Sequence, residues 1–171
     1  MSKGKAWKYG NDVNTDVIFP GKYTYSILDP EEMAKHALED LDPEFVHKVK
    51  PGDIVVAGKN FGCGSSREQA ATCLKYAGVR AVVAKSFARI FFRNAINQGL
   101  PVVQCSEAVD SIADGEEISV DFSKGQIETA KGVFDFVPLP ESILLILDAG
   151  GLISYTKSKI AREKNHGEYS V

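Results

Sequence analysis

The chain has 171 residues, of which 44% are hydrophobic and 25% are charged, and its formal net charge is −3. This length and composition predict one globular domain with its own core and exclude an intrinsically disordered protein. The slightly acidic balance argues against a nucleic-acid partner, no apolar run is long enough to cross a membrane, and the Lys-containing start lacks a signal-peptide core, so the sequence predicts a cytoplasmic protein.

In the N-terminal third, the sequence predicts two short strands and two helices. Asp29 is expected to cap the first helix, because Pro30 follows at the first helical position and Glu32 lies three residues after the cap. An apolar stripe continues this helix to Leu41. The predicted strands are residues 5–9 and 16–19, and the predicted helices are residues 30–41 and 43–49.

From residue 53 onward the chain alternates between apolar strands and amphipathic helices. Ser86 is expected to cap the second of these helices. The alternation predicts parallel strands that are joined by right-handed crossovers. The predicted strands are residues 54–57, 81–84 and 101–104, and the predicted helices are residues 66–76 and 87–98.

The C-terminal part has a different pattern, with strands that can pair antiparallel across short turns. A further turn or two of helix is expected within residues 153–160, and the polar tail 161–171 is expected to fray. The sequence therefore predicts a single α/β domain, residues 1–171, whose mixed sheet has a parallel βαβαβ portion and an antiparallel C-terminal part. The predicted C-terminal elements are strands at residues 117–122, 126–129 and 133–137 and a helix at residues 142–149.

A stretch rich in glycine and serine, residues 60–70 (NFGCGSSREQA), lies between the first parallel strand and the next helix. Ser65 and Ser66 are expected at the helix N-cap, beside unpaired N–H groups and the positive end of the helix dipole. Arg67 is expected in the first helical turn, where a guanidinium can hold a carboxylate with two parallel hydrogen bonds. The stretch indicates a cradle for a carboxylate or phosphate, and the alternative from the local pattern is a tight turn with a good cap.

Three cysteines, Cys63, Cys73 and Cys105, are unevenly spaced and include no Cys-x-x-Cys pair. An odd number of cysteines in a chain without a secretion signal indicates reduced thiols rather than disulfide bonds. The short spacing of an iron–sulfur ligand set is missing. We therefore expect the three thiols to be packing residues, and we expect no metal or cofactor on this chain.

Three motifs in order carry a resemblance to a known family. Residues 10–21 read GNDVNTDVIFPG, residues 60–70 are the stretch quoted above, and residues 82–100 read VVAKSFARIFFRNAINQGL. Together they resemble the swivelling domain of the aconitase superfamily, and most closely the separate small subunits of 3-isopropylmalate dehydratases. The resemblance covers roughly residues 5–155 and implies the aconitase-like swivelling β/β/α fold.

The resemblance also implies roles for individual residues. The first serine of the family's Gly-Ser-Ser-Arg motif removes and returns a substrate proton, and this position is Ser65 here. By the same match, Ser66 and Arg67 would hydrogen-bond a substrate carboxylate. Thr15 and Asp16 would shape the loop beside the site, for which the alternative is a simple turn.

Two further features of the family concern its partner and its specificity. Arg89 and Arg93 match a strongly patterned segment and are expected to be structural or to lie at the partner interface. In homoaconitase-like members an Arg in the loop equivalent to residues 23–28 meets an extra substrate carboxylate. Here Tyr25 and Ile27 are uncharged, which suits an isopropyl substituent because a carboxylate would lack a partner.

The resemblance implies a hydro-lyase subunit that is active only with a large subunit. The reaction would isomerise 2-isopropylmalate and 3-isopropylmalate by dehydration and rehydration in leucine biosynthesis. The large subunit would supply a [4Fe–4S] cluster as Lewis acid. The alternatives are the small subunit of homoaconitase, 2-methylmalate or 2,3-dimethylmalate dehydratase, or a non-catalytic anion-binding regulatory module.

Overall fold

A seven-stranded mixed sheet forms the centre of the computed structural model, which describes residues 3–167 and the side chains of residues 3–164. The strands are β1 (Gly4–Lys8), β2 (Ile54–Ala57), β3 (Ala81–Ala84), β4 (Val102–Gln104), β5 (Glu117–Asp121), β6 (Gln126–Thr129) and β7 (Gly132–Asp135). Their order across the sheet is β4-β3-β2-β1-β5-β6-β7.

Strand β1 lies where the two halves of the sheet meet. It pairs parallel with β2, and β2, β3 and β4 continue the parallel half. On its other side β1 pairs antiparallel with β5, and β6 and β7 complete the antiparallel half. This topology confirms the predicted mixed sheet with a parallel portion and an antiparallel C-terminal part.

The helices surround this sheet and mostly follow the predicted order. Within the part of the chain that the structure describes, none of them combines the length and the apolar character needed to cross a membrane. The helices are α1 (Thr15–Ile18), α2 (Pro30–Ala34), α3 (Phe45–Lys48), α4 (Gln69–Tyr76), α5 (Arg89–Gln98), α6 (Ser106–Ser111), α7 (Glu141–Asp148) and α8 (Leu152–Gly167).

The first helical turn, α1, corrects the prediction of a strand at residues 16–19. The side chain of Asn14 accepts a hydrogen bond from the Val17 backbone N–H at 3.0 Å, which is the geometry of an N-cap. Asp16 lies in the first turn, where a carboxylate favours the helix dipole. A local capping signal therefore determines this segment, rather than its short apolar run.

Helix α2 begins as predicted but ends early. The Asp29 carboxylate accepts a hydrogen bond from the Glu32 N–H at 3.0 Å, which confirms the predicted cap. The prediction that the helix continues to Leu41 is wrong. Leu38 adopts a left-handed φ of +58°, and its N–H donates to the Ile18 carbonyl at 2.8 Å, so the chain turns into α1 instead of continuing along the helix axis.

Helices α5, α6 and α8 also depart from the prediction. Helix α5 begins at Arg89 with Ala88 at the N-cap position, so the prediction that Ser86 caps it is wrong. Helix α6 was not predicted. Helix α8 is longer than the turn or two expected and includes residues 161–167 of the predicted tail, whereas residues 168–171 lie outside the described part.

The sheet separates two apolar cores because successive side chains of a strand point to opposite faces. In β2, Val55 and Ala57 face a core formed with α1 to α5, whereas Ile54 and Val56 face a second core. The second core includes side chains of α6, β5 and β6. Burial on both faces explains why β2 is a continuous run of fully buried apolar residues.

Buried Asp53 fixes the start of β2 against the N-terminal strand. Its carboxylate accepts hydrogen bonds from the Trp7 indole N–H at 2.9 Å, from the Lys50 backbone N–H at 3.0 Å and from the Lys5 backbone N–H at 3.1 Å. Asp53 is only 5% exposed, so water cannot replace these contacts.

We therefore expect Asp53→Ala to lower the free energy of unfolding by about 2–4 kcal/mol, because three N–H donors would lose their acceptor. Urea denaturation followed by circular dichroism measures this change. The matched control is Asp40→Ala, an exposed aspartate, which should change stability by less than about 0.5 kcal/mol. Equal effects of the two substitutions would contradict the role given to Asp53.

Candidate active site

The glycine-rich loop after β2 is bound on both sides by backbone hydrogen bonds. The Phe61 N–H donates to the Ser86 carbonyl at 3.0 Å, and the Gly62 N–H donates to the Val13 carbonyl at 2.7 Å. The Thr15 N–H donates to the Cys63 carbonyl at 2.8 Å. The three motifs are distant from one another in the sequence, yet they meet at one edge of the sheet. The carboxyl ends of β2 and β3 lie at this edge.

Gly62 is required by the packing beneath this loop. Its φ is +78°, and a Cβ at this position would lie 2.2 Å from Cγ of Phe91. The Phe91 ring packs edge-on against Phe61 with 5.1 Å between the ring centroids. The loop can therefore lie directly on this aromatic pair only because residue 62 has no side chain.

Ser65 and Ser66 lie on the exposed outer part of the loop. Buried Thr15 donates from its hydroxyl to the Ser65 carbonyl at 2.9 Å, which fixes the backbone. Neither serine hydroxyl has a partner among the described residues. The backbone is thus held by the protein while both hydroxyl groups are available to a ligand.

The predicted relation of these serines to α4 is wrong. The helix begins at Gln69 with Glu68 at the N-cap position and no side-chain cap, so Ser65 and Ser66 precede the helix and do not cap it. Arg67 also precedes the first turn. The positive end of the α4 dipole therefore does not account for anion binding at the serines.

The Arg67 guanidinium is held in place by α1 and the segment that follows it. It forms an ion pair with the Asp16 carboxylate at 2.5 Å, and its Nη1 is 3.5 Å from the Phe19 carbonyl oxygen. A Cβ on Gly21 would come within 3.1 Å of both terminal nitrogens. The Arg67 side chain is only 18% exposed, so contacts with this segment fix its direction.

The structure does not bring Tyr25 and Ile27 together with the residues of the Ser65–Arg67 loop. Tyr25 is 94% exposed, so its ring packs against almost nothing in the described chain. Ile27 is half-buried and packs against the main apolar core. Their predicted role in reading the substrate substituent stays a prediction.

Two adjoining clefts lie between the loop and α5. The larger has a volume of about 430 Å³ and the smaller about 240 Å³, and Ile90 and Arg93 line both. Asn94 and Asn97 were not singled out in the sequence, although their positions one turn from Ile90 and Arg93 place them on the same face of α5. The larger cleft is also lined by Gly62, Gly64, Ala88 and Arg89, and the smaller by Ser66, Asn94 and Asn97.

The three thiols lie apart from one another. Burial and the Asp12 carboxylate raise the pKa of half-buried Cys63, and burial raises the pKa of Cys73. Cys73 and Cys105 are buried, and all three thiols are free. Among the residues that the structure describes, no group of three or more His, Cys, Asp or Glu side chains could hold a metal ion.

Comparisons with known proteins agree with this geometry. The family described as the aconitase C-terminal domain matches residues 16–108. The chain is 56% identical to the 3-isopropylmalate dehydratase small subunit of Caldicellulosiruptor saccharolyticus, over 94% of each chain. It is 55% identical to 3-isopropylmalate dehydratase small subunit 1 of Archaeoglobus fulgidus, over 91% of this chain and 96% of that protein.

A solved structure is similar over nearly the whole molecule. The crystal structure of 3-isopropylmalate dehydratase from Methanocaldococcus jannaschii has a TM-score of 0.89 at 44% identity, covering 96% of this chain and 98% of that chain. The fold and the Ser65–Arg67 loop define a swivelling domain of the aconitase type. The chain belongs to the aconitase C-terminal domain family and, within it, to the 3-isopropylmalate dehydratase small subunits.

We expect Gly62→Ala to destabilise the protein by about 2–4 kcal/mol, because the new methyl group would meet the Phe91 ring and the backbone has a left-handed φ. Thermal and urea denaturation measure this loss. Gly10→Ala is the control, because a Cβ at Gly10 meets nothing within 4 Å. A Gly62→Ala protein as stable as Gly10→Ala would show that the loop can move away from Phe91.

Proposed function

We propose that this chain is the small subunit of a 3-isopropylmalate dehydratase. The enzyme is a hydro-lyase that isomerises 2-isopropylmalate and 3-isopropylmalate by dehydration and rehydration in leucine biosynthesis. The observation that carries this proposal is the Ser65–Arg67 loop, which presents two free hydroxyl groups on a fixed backbone in a chain 56% identical to a named small subunit. A cytoplasmic location stays a prediction.

Ser65 is proposed to remove and return the substrate proton. A serine hydroxyl is a very weak acid, so its alkoxide must be stabilised by hydrogen-bond donors and positive charge in a site that excludes water. The fixed backbone supports this role, because a proton-transfer group must be held within hydrogen-bond distance of the substrate carbon. With its hydroxyl exposed, Ser65 would depend on a partner surface to exclude water.

Ser66 and Arg67 are proposed to hold a substrate carboxylate. The guanidinium of Arg67 is already paired with Asp16, so a substrate carboxylate would share it rather than meet an isolated cation. The pair with Asp16 keeps the guanidinium pre-oriented, which lowers the entropy lost on binding. Thr15 and Asp16 would thus act by positioning the groups that touch the substrate.

The large subunit is proposed as the obligatory partner, because this chain has no ligand set for a cluster among its described residues. A [4Fe–4S] cluster on that subunit would act as Lewis acid on the leaving hydroxyl group. The chain itself would supply the proton-transfer group and part of the carboxylate site. Relatives that are 48–56% identical are named 3-isopropylmalate dehydratase small subunits. The small subunits of homoaconitase and of the methylmalate dehydratases, and a regulatory module, are therefore not favoured.

The proposal predicts that the purified chain alone contains no iron and has no dehydratase activity, and that adding its large subunit with an assembled cluster produces turnover. Iron analysis and a spectrophotometric assay of the unsaturated intermediate test this. The assay should compare 2-isopropylmalate with other malate homologues. An iron-containing chain that is active alone, or a pair that prefers another hydroxy acid, would contradict the proposal.

For Ser65→Ala we expect kcat of the reconstituted pair to fall by about 10²- to 10⁴-fold with KM little changed, because the substitution removes a proton-transfer group rather than a binding group. Steady-state kinetics at saturating large subunit measure both constants. Ser158→Ala, in the exposed part of α8, is the matched control and should retain wild-type kinetics. Wild-type rates for Ser65→Ala would assign Ser65 a purely structural role.

Tyr25→Arg tests whether the exposed loop reads the substituent. A cation there should improve a carboxylate-bearing homologue relative to isopropylmalate by about 1–3 kcal/mol in kcat/KM if the new pair is well formed. Tyr25→Leu, which stays uncharged, is the control and should leave the preference unchanged. If both variants keep the wild-type ratio of kcat/KM, this loop does not determine specificity.

A further inference from the structure

The first two turns of α5 carry two exposed arginines beside the glycine-rich loop, residues 60–70. We propose that Arg89, Ile90 and Arg93, which we call the α5 surface, form the contact site for an acidic segment of the large subunit. This inference rests on the proposed function and deepens it, because it specifies where and through what chemistry the partner binds.

Among the residues that the structure describes, these two arginines have no charge partner. Arg89 and Arg93 are four residues apart, so they lie on the same face of α5, and both are exposed. Neither has an ion pair or a hydrogen bond with any described residue. Other cations of the chain do find carboxylates, as in the pairs Lys22–Glu39, Lys48–Glu44, Lys85–Asp110 and Arg67–Asp16.

This arrangement is unfavourable for the isolated chain. Like charges one turn apart repel each other, and cations in the first turns of a helix oppose its dipole. Both costs disappear when a carboxylate binds between the guanidinium groups. The surface is therefore suited to an anionic partner.

The α5 surface lines the cleft of about 430 Å³, which is also lined by Gly62 and Gly64 of the glycine-rich loop. Under the proposed function, one small substrate would contact both Ser65 and the metal cluster of the partner, so the partner would cover this loop. Residues that border the loop must then lie in the interface.

Ile90 is 50% exposed between the two arginines, which is a large apolar side chain without cover. Arginine and large apolar residues are enriched at protein–protein interfaces, and arginine is frequent among the residues that dominate binding energy. A protein segment with carboxylates and an apolar side chain thus fits this surface better than a small anion alone.

The test measures assembly separately from catalysis. With the cluster-loaded large subunit, Arg89→Gln and Arg93→Gln should each raise the Kd of the pair about tenfold, mostly through slower association, because charges at an interface steer encounter. The dependence of the association rate on ionic strength should become weaker in both variants. The Kd of the pair, rather than turnover, is the readout, because Arg93 also lines the smaller cleft together with Ser66.

Arg162→Gln is the matched control, since it removes the same charge from an exposed position on α8 and should leave the Kd unchanged. The inference is overturned if both α5 variants bind like wild type at low salt. It is also overturned if KM rises at saturating large subunit while the Kd is unchanged, because the arginines would then belong to the substrate site. A wild-type pair that assembles through these arginines but does not turn over isopropylmalate would refute the proposed function and leave the surface standing.

Discussion

Three backbone hydrogen bonds, donated by the Phe61 and Gly62 N–H groups and accepted by the Cys63 carbonyl, are the constraint on which the candidate site depends. They bind the loop after β2 to residues 10–21 on one side and to residues 85–88 on the other. Because β1, β2 and β3 are parallel neighbours, their carboxyl ends meet at one edge, where ligands of α/β sheets commonly bind. The loop is rigid through its main chain, which leaves its side chains free for chemistry.

The charges around the loop fall into two groups with different uses. The Arg67 side chain is mostly buried and its charge is paired with Asp16, so the guanidinium is oriented before any ligand binds. Arg89 and Arg93 are exposed and unpaired among the described residues. A pre-oriented cation favours recognition of a small ligand. Exposed cations favour the encounter with a large partner such as another protein. Under the proposed function, the same edge of the sheet would serve both substrate and partner.

Sequence alone predicted the parallel half of the sheet well, because the buried strands are short runs of valine, isoleucine and alanine between clear helical patterns. It failed where long-range contacts decide. Ser65 and Ser66 are residue types that favour an N-cap position. However, the Arg67 side chain pairs with Asp16, and α4 begins only at Gln69. No local pattern reports an ion pair between distant segments.

A second kind of failure came from competing local signals. Residues 16–19 contain an apolar run that suggests a strand, yet the cap formed by Asn14 determines a helical turn. The motif resemblance, by contrast, correctly grouped three distant segments. It could not indicate that Asn94 and Asn97 line the smaller cleft, because their positions follow from the way α5 lies beside the loop.

The central position of β1 has a consequence for the order in which the chain can fold. During synthesis β1 emerges first, and its parallel partners β2, β3 and β4 follow before its antiparallel neighbour β5. Until β5 leaves the ribosome, one edge of β1 presents unpaired N–H and C=O groups to any other chain nearby. The nascent protein therefore carries an aggregation hazard that lasts through most of its translation and ends when β5 pairs with β1.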